Sequence, residues 1–142
     1  MKTVKQIDLT LKNEPGALSV VSDLLGENRI NIIALYVTTD GDIGNIHFVA
    51  NDPAKAVNVL KTAGYHIEER DVIACEVPHH PGGLNAVLRL FKDANINVDY
   101  IYPCIGTGEI TVIIMGMTSI KQALGILNDN WMRVLGPELY YI

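Results

Sequence analysis

The sequence predicts an α+β protein made of two tandem β-α-β-β-α-β units, each an antiparallel sheet with its helices on one face. The first observation behind this is an internal repeat, the pattern to seek before any other. Pro15-Gly16-Ala17-Leu18 recurs as Pro81-Gly82-Gly83-Leu84, and at the same offset of 66 Ile30-Asn31-Ile32 recurs as Ile96-Asn97-Val98. Ile7 falls on Ile73, Val21 on Val87, Leu24 on Leu90, Tyr36 on Tyr102 and Lys55 on Lys121, with no gap needed. The second observation is that apolar spacing switches between two and three-to-four along each copy. The third is that Pro, Gly, Asn and Asp stand where those periods change.

In the first copy, Ile7, Leu9 and Leu11 alternate with Gln6, Asp8 and Thr10, a strand with one buried face. Pro15-Gly16 ends it, and Pro suits a first helical turn because its missing N–H needs no partner there. Leu18, Val21, Leu24 and Leu25 form the stripe of an amphipathic helix. Gly26 and Asn28 are expected to end that helix. Asn31 to Thr39 reads as the second strand, Asp40-Gly41-Asp42 as a hairpin turn and Ile43 to Ala50 as the third strand. Asn51-Asp52-Pro53 opens a second helix, with Asp52 as cap, Val57 and Leu60 inward and Gly64 at its close. Tyr65 to Glu69 is the fourth strand.

The second copy repeats this order. Strands are expected at Val72 to Val77, Val98 to Cys104 and Glu109 to Met117, with Gly106-Thr107-Gly108 as a turn and a last strand from near Met132. Helices are expected from about Gly82 to Ala94 and Ser119 to Asn128. This is the split βαβ pattern. The units are set at 1–70 and 71–142, with Glu68-Glu69-Arg70-Asp71 as the only polar break. Units this small bury little surface alone, so they should pack as a rigid pair, and a homodimer is expected.

Composition narrows the function. The net charge of −5 and scattered acidic residues give no basic stripe for nucleic acid or for an anionic membrane. No secretory signal is expected at the N-terminus, and the longest apolar run, Val112 to Met117, falls far short of a span, so a cytoplasmic protein is expected. Cys75 and Cys104 read as free buried thiols. No cofactor is implied, and no GxSxG, HExxH or Gly-rich phosphate loop points to an enzyme.

The candidate site is the turn after each first strand: Asn13-Glu14-Pro15-Gly16-Ala17-Leu18 and His79-His80-Pro81-Gly82-Gly83-Leu84. A helix N-terminus offers unpaired N–H groups and partial positive charge to a carboxylate, and Gly lets a ligand approach the backbone. An Asn side chain both donates and accepts, matching the two charged groups of a free amino acid. Asn31 and Asn97 open the next strands. Two readings stand at this point, because Asn13 and Asn31 equally suit a helix cap and a turn support. Tyr36 and Tyr102, in the second strands, suit either a pocket wall or the core, as does Tyr100. His79-His80 has no carboxylate cluster to complete a metal site, and His47 and His66 read as solvent-facing or satisfied residues.

N-x-P-G-x-L followed by I-N-I, twice in register, resembles the ACT domain, and two copies cover nearly the whole chain, as in small stand-alone tandem ACT proteins. The resemblance implies a ferredoxin-like fold with strand order 4-1-3-2, and an amino acid bound at the interface of ACT units. It implies that Asn13 and Asn31 hold the ligand, with the backbone of Gly16, Ala17 and Leu18 facing its carboxylate. His79 departs from the pattern at the position of Asn13, which separates the two copies. Leu11 and Val77 stand where some serine-binding members have histidine, so serine is disfavoured. The expected function is a regulatory sensor of a free amino acid, without catalytic activity. The alternatives are a structural dimerisation module without ligand, or a regulatory subunit of an enzyme of amino-acid biosynthesis.

Overall fold

The computed structural model describes residues 2–142. They fall into two compact units, Lys5–Arg70, and Asp71–Ile142 with the N-terminal residues up to Val4. In the first, β1 (Val4–Lys12) leads to α1 (Ala17–Glu27), β2 (Ile32–Asp40), β3 (Ile43–Ala50), α2 (Pro53–Thr62) and the start of β4 (His66–Val77). The strand order is β4-β1-β3-β2, with β1–β3 and β2–β3 antiparallel. In register, Ile7 faces Phe48 and Leu9 faces Ile46. These four join Val21 and Leu25 of α1 and Ala56 and Leu60 of α2 in one core. The alternation read from β1 therefore puts Gln6, Asp8 and Thr10 on the opposite face.

Local chemistry explains the helix ends. Gly16 precedes α1 at φ +86°, a left-handed conformation that costs glycine nothing. Asp52 caps α2, its carboxylate accepting from the Lys55 amide at 3.2 Å, and Gly64 follows at φ +94°. Of the two residues expected to end α1, Gly26 lies within the helix and Asn28 is its C-cap. There Asn28 Nδ2 donates to the Leu24 carbonyl at 2.8 Å, and Arg29 takes the left-handed position at φ 57°.

The second unit uses the Asp71–Val77 part of β4, then α3 (Gly83–Asp93), β5 (Tyr100–Pro103), β6 (Thr111–Gly116), α4 (Ile120–Asp129), β7 (Val134–Leu135) and a 3-10 turn at Pro137–Tyr141. Its order, β7-β4-β6-β5, matches the first. Its core gathers Ile73, Cys75, Val87, Phe91, Met115 and Leu127. The offset of 66 holds to the residue across the corner: α1 maps onto α3, Gly16 onto Gly82 at φ +83°, and Arg29 onto Asn95, also at φ 57°. It then slips. Ile7 pairs with Phe48 but Ile73 with Met115, and Leu35 pairs with Phe48 but Ile101 with Met115, so β6 stands at an offset of 67 from β3, and Lys121 is second in its helix where Lys55 is third. The gapless reading is thus corrected between Pro103 and Thr111, in the β5–β6 connection, a surface turn whose length varies cheaply. Trp131, 95% exposed at φ 59°, stands after α4 where Gly64 stands after α2.

Two further corrections concern strands. Residues 68–71 do not break the chain, because β4 runs from His66 to Val77. Charged side chains project from an extended backbone without disturbing it, and the segment has no Pro or Gly to turn it. The second unit's later strands are shorter than expected, β5 beginning only at Tyr100 and β7 holding two residues. The chain continues from β7 into the 3-10 turn, where Leu139 is buried and Glu138 meets Lys2 at 2.8 Å. Among the described residues no helix is long and apolar enough to cross a membrane.

Candidate functional site

At the first corner β1 ends in Lys12-Asn13-Glu14 and the chain turns through Pro15-Gly16 into α1. The Ala17 amide donates to the Glu14 carbonyl at 3.2 Å, and the Val20 amide to Gly16 at 3.0 Å. Among the described residues no side chain caps α1, and the turn's bonds leave out the Leu18 and Ser19 amides. Asn13 is not the cap. Its Nδ2 donates to the Gly41 carbonyl at 2.9 Å and its amide to Asp42 at 2.8 Å, tying the corner to the β2–β3 hairpin. Its Oδ1 remains as an acceptor. Glu14 is exposed, 3.4 Å from Lys12 Nζ.

Asn31 sits at the other end of α1. Its backbone is held twice by Asn51, the Asn31 amide donating to Asn51 Oδ1 at 2.9 Å and the Asn51 amide to the Asn31 carbonyl at 3.0 Å. Its exposed side-chain amide takes no part in that pairing. Between the two ends lies an open apolar cleft of about 130 Å³. Leu18, Val21, Ser22 and Leu25 of α1 form one wall, and Ile32, Leu35 and Val37 of β2 with Ile46 and Phe48 of β3 form the other. Leu18 is the expected site residue that lines it. The others in this wall were not singled out from the sequence. Their signal was present, since Leu35 and Val37 alternate on an edge strand and stay 36% and 39% exposed.

Tyr36 does not wall this cleft. In register it faces His47, whereas Leu35 faces Phe48 and Val37 faces Ile46, so Tyr36 lies on the sheet face away from α1. There its ring stacks on His47 at 4.4 Å. His47 Nδ1 is 2.7 Å from Asp8 Oδ1, Arg70 Nε is 2.6 Å from Asp8 Oδ2, and Gln6 Nε2 donates to Asp8 at 2.7 Å. The Asp8 carboxylate is thus paired with Arg70 and His47, its buried Oδ2 in contact with Arg70 without a hydrogen bond, and His47 has a partner as expected. His66 is exposed, 3.9 Å from Glu68.

The second corner repeats the backbone and changes the chemistry. The Gly83 amide donates to the His80 carbonyl at 2.9 Å, and no side chain caps α3 among the described residues. A Cβ on Gly83 would lie 1.9 Å from the Pro78 carbonyl oxygen, so glycine is required there by the chain's own close approach rather than a ligand's. His80 Nδ1 donates to the Pro81 carbonyl at 2.9 Å, and His79 and Leu84 are exposed. Asn97 Nδ2 donates to Asp99 at 3.0 Å. Tyr102 is buried and faces Ile114, outside the core beneath α3. The cleft positions carry larger residues here, Leu88 for Ser22 and a buried Phe91 for Leu25.

Both thiols are free, Cys75 buried and Cys104 only half-buried, which corrects the expectation of two buried thiols. Burial raises Cys75 to about 11, with Glu76 adding to it, and burial raises Cys104 to about 12. Among the described residues no three metal-ligating side chains come together.

Residues 2–134 match the family model described as the ACT domain pair. No curated protein matches the chain. Among solved structures, a protein of Bacteroides thetaiotaomicron superposes with a TM-score of 0.92 at 24% identity, covering 99% of this chain and 98% of its own. The regulatory subunit of aspartate kinase from Thermus thermophilus gives 0.64 at 17% identity, over 90% and 91%. That from Thermus flavus gives 0.60 at 18% identity, over 92% and 94%. At these identities the structures are similar in fold.

Proposed function

The chain belongs to the ACT domain pair family, and on that premise we propose that it is a regulatory sensor binding a free amino acid at its first corner, without catalysis of its own. One observation carries the reading: the uncapped start of α1, with the Leu18 and Ser19 amides left over, opens beside a cleft whose far end adjoins Asn31. The helix dipole and those amides favour a carboxylate. At this end of α1, Asn13 Oδ1 and the Glu14 carboxylate are suited to an ammonium; Asn31, a whole 11-residue helix away, would contribute from a second copy of the chain. Gly16 and Ala17 keep the approach to the backbone open, since nothing lies within 4 Å of a Cβ built on Gly16.

The 1–70 repeat is then the binding ACT unit and the 71–142 repeat a structural one. His79, His80, Gly82, Gly83, Leu84 and Asn97 form the degenerate corner, supported by the internal bonds of His80 and Asn97 and the Pro78 contact of Gly83. Tyr36 and Tyr102 drop out of the ligand set. β2 is an edge strand with exposed Leu35 and Val37, and we propose that a second copy of the chain covers it, closing the ligand in. The partner acted on would be an enzyme of amino-acid metabolism, a role suggested by aspartate kinase regulatory subunits of similar fold. Two free thiols suit the reducing cytoplasm.

Isothermal titration with each of the twenty amino acids tests the reading. At least one should bind, and Asn31→Ala should weaken it about tenfold, the loss of one hydrogen bond to a charged group. Its backbone ties to Asn51 should keep the melting temperature unchanged. Absence of heat with all twenty leaves the structural dimerisation module as the better reading.

A further inference from the structure

We propose that the ligand of the first corner is an amino acid with a branched aliphatic side chain, of the valine, leucine and isoleucine class. This rests on the sensor reading above and adds to it what the cleft selects. The carboxylate-binding end of α1 holds only the groups common to all amino acids, so choice among them falls to the cleft that Leu18 enters. Apart from Ser22, that cleft is lined by aliphatic chains and Phe48. It offers no charged partner, so a lysine or aspartate side chain would be desolvated there without compensation. Its volume, about 130 Å³, is a little below that of a buried apolar cavity of about 150 Å³ that takes up benzene, and it is open beside Leu35 and Val37, where the second copy would close it. A four-carbon branched chain is smaller than that ring and fills such a space without strain.

The second repeat supplies an internal control. There a larger residue stands at each place: a half-buried Leu88 replaces Ser22, and Phe91, buried in the second core, replaces Leu25. Ser22 is the one small residue of the α1 wall, and it is exposed. The side chain of the ligand therefore enlarges the first unit's core as the ring of Phe91 enlarges the second's.

The test is titration of the full-length protein with glycine, alanine, valine, leucine, isoleucine, threonine, lysine and aspartate, repeated on Ser22→Leu. Each methylene buried should tighten binding about fourfold, so leucine should exceed alanine by about fiftyfold. Ser22→Leu, which copies the second repeat at an exposed site, should remove most of that advantage while alanine binding persists. Lysine, aspartate or threonine binding more tightly than the aliphatic set would overturn this assignment and leave the sensor reading intact. Leucine binding unchanged in Ser22→Leu would overturn it too, as would Ser22→Leu changing only the oligomeric state, which would make the cleft a seat for a second copy. No binding by any of the set or by the other twelve amino acids would overturn the sensor reading itself.

Discussion

At their corners the two repeats have nearly the same backbone. Gly16 and Gly82 differ by 3° in φ, and Arg29 and Asn95 share the same left-handed value at the helix ends. What differs is what the side chains do with it. The first corner is tied down from outside, by Asn13 reaching the hairpin, and leaves a cleft beside α1. The second is tied to itself, through Gly83 under Pro78, His80 on Pro81 and Asn97 on Asp99. A duplicated scaffold thus keeps its fold by preserving glycine and apolar positions, while single exposed positions decide whether the corner stays open.

The comparison can be broken by exchanging residues between repeats. The largest effect is expected from Gly83→Ala, which copies the first repeat's Ala17 into a place where its Cβ meets backbone at 1.9 Å. It should lower stability by about 3 kcal/mol, as overpacking does, read as a drop in melting temperature. Leu88→Ser, which copies Ser22 at a half-buried position outside the core cluster, should cost about 1 kcal/mol from lost apolar burial, read by denaturant titration. Asn13→Ala removes one exposed tie and should cost about 1 kcal/mol, whereas His79→Ala, at the equivalent place, should cost nothing measurable by chemical denaturation.

The smallest effect has no equivalent in the first repeat. The side-chain hydrogen bond from Lys2, with backbone bonds from its own amide and near Gly136, lowers Glu138 from 4.5 to about 2. A depressed folded-state value means stability present above the ordinary carboxylate range and lost as pH falls through about 2. The pair is exposed and screened, so only a slight acid-side slope is expected. Lys2→Ala should flatten that slope in melting temperatures taken between pH 5 and 2.

Much of this was legible in the residues because two periodicities and a register suffice to specify the fold. Gly16 and Gly82 announce left-handed turns, and Ile7, Leu9, Val21 and Leu25 announce the core they share. The slip in the β5–β6 connection was hidden because a single Lys55–Lys121 coincidence mimics register in a helix face that tolerates any charged residue. The unbroken β4 was hidden because charged residues read as a loop unless the backbone is seen extended. For the site, Asn13 and Asn31 were visible as types, but a side chain's partner depends on tertiary approach. Gly41 lies 28 residues from Asn13, and no local pattern announces that bond. Tyr36 was placed near the ligand by its position along β2, and the strand's two-residue alternation turned it to the other face.

Trp131 is the chain's one tryptophan, and it stands almost wholly in solvent. Its indole already has the surroundings of an unfolded chain, so its emission will scarcely change when the core melts. Fluorescence unfolding curves would therefore report a featureless protein, and circular dichroism or calorimetry must be used to see cooperative melting. The same exposure makes that emission a clean optical reporter, silent until another molecule covers the ring.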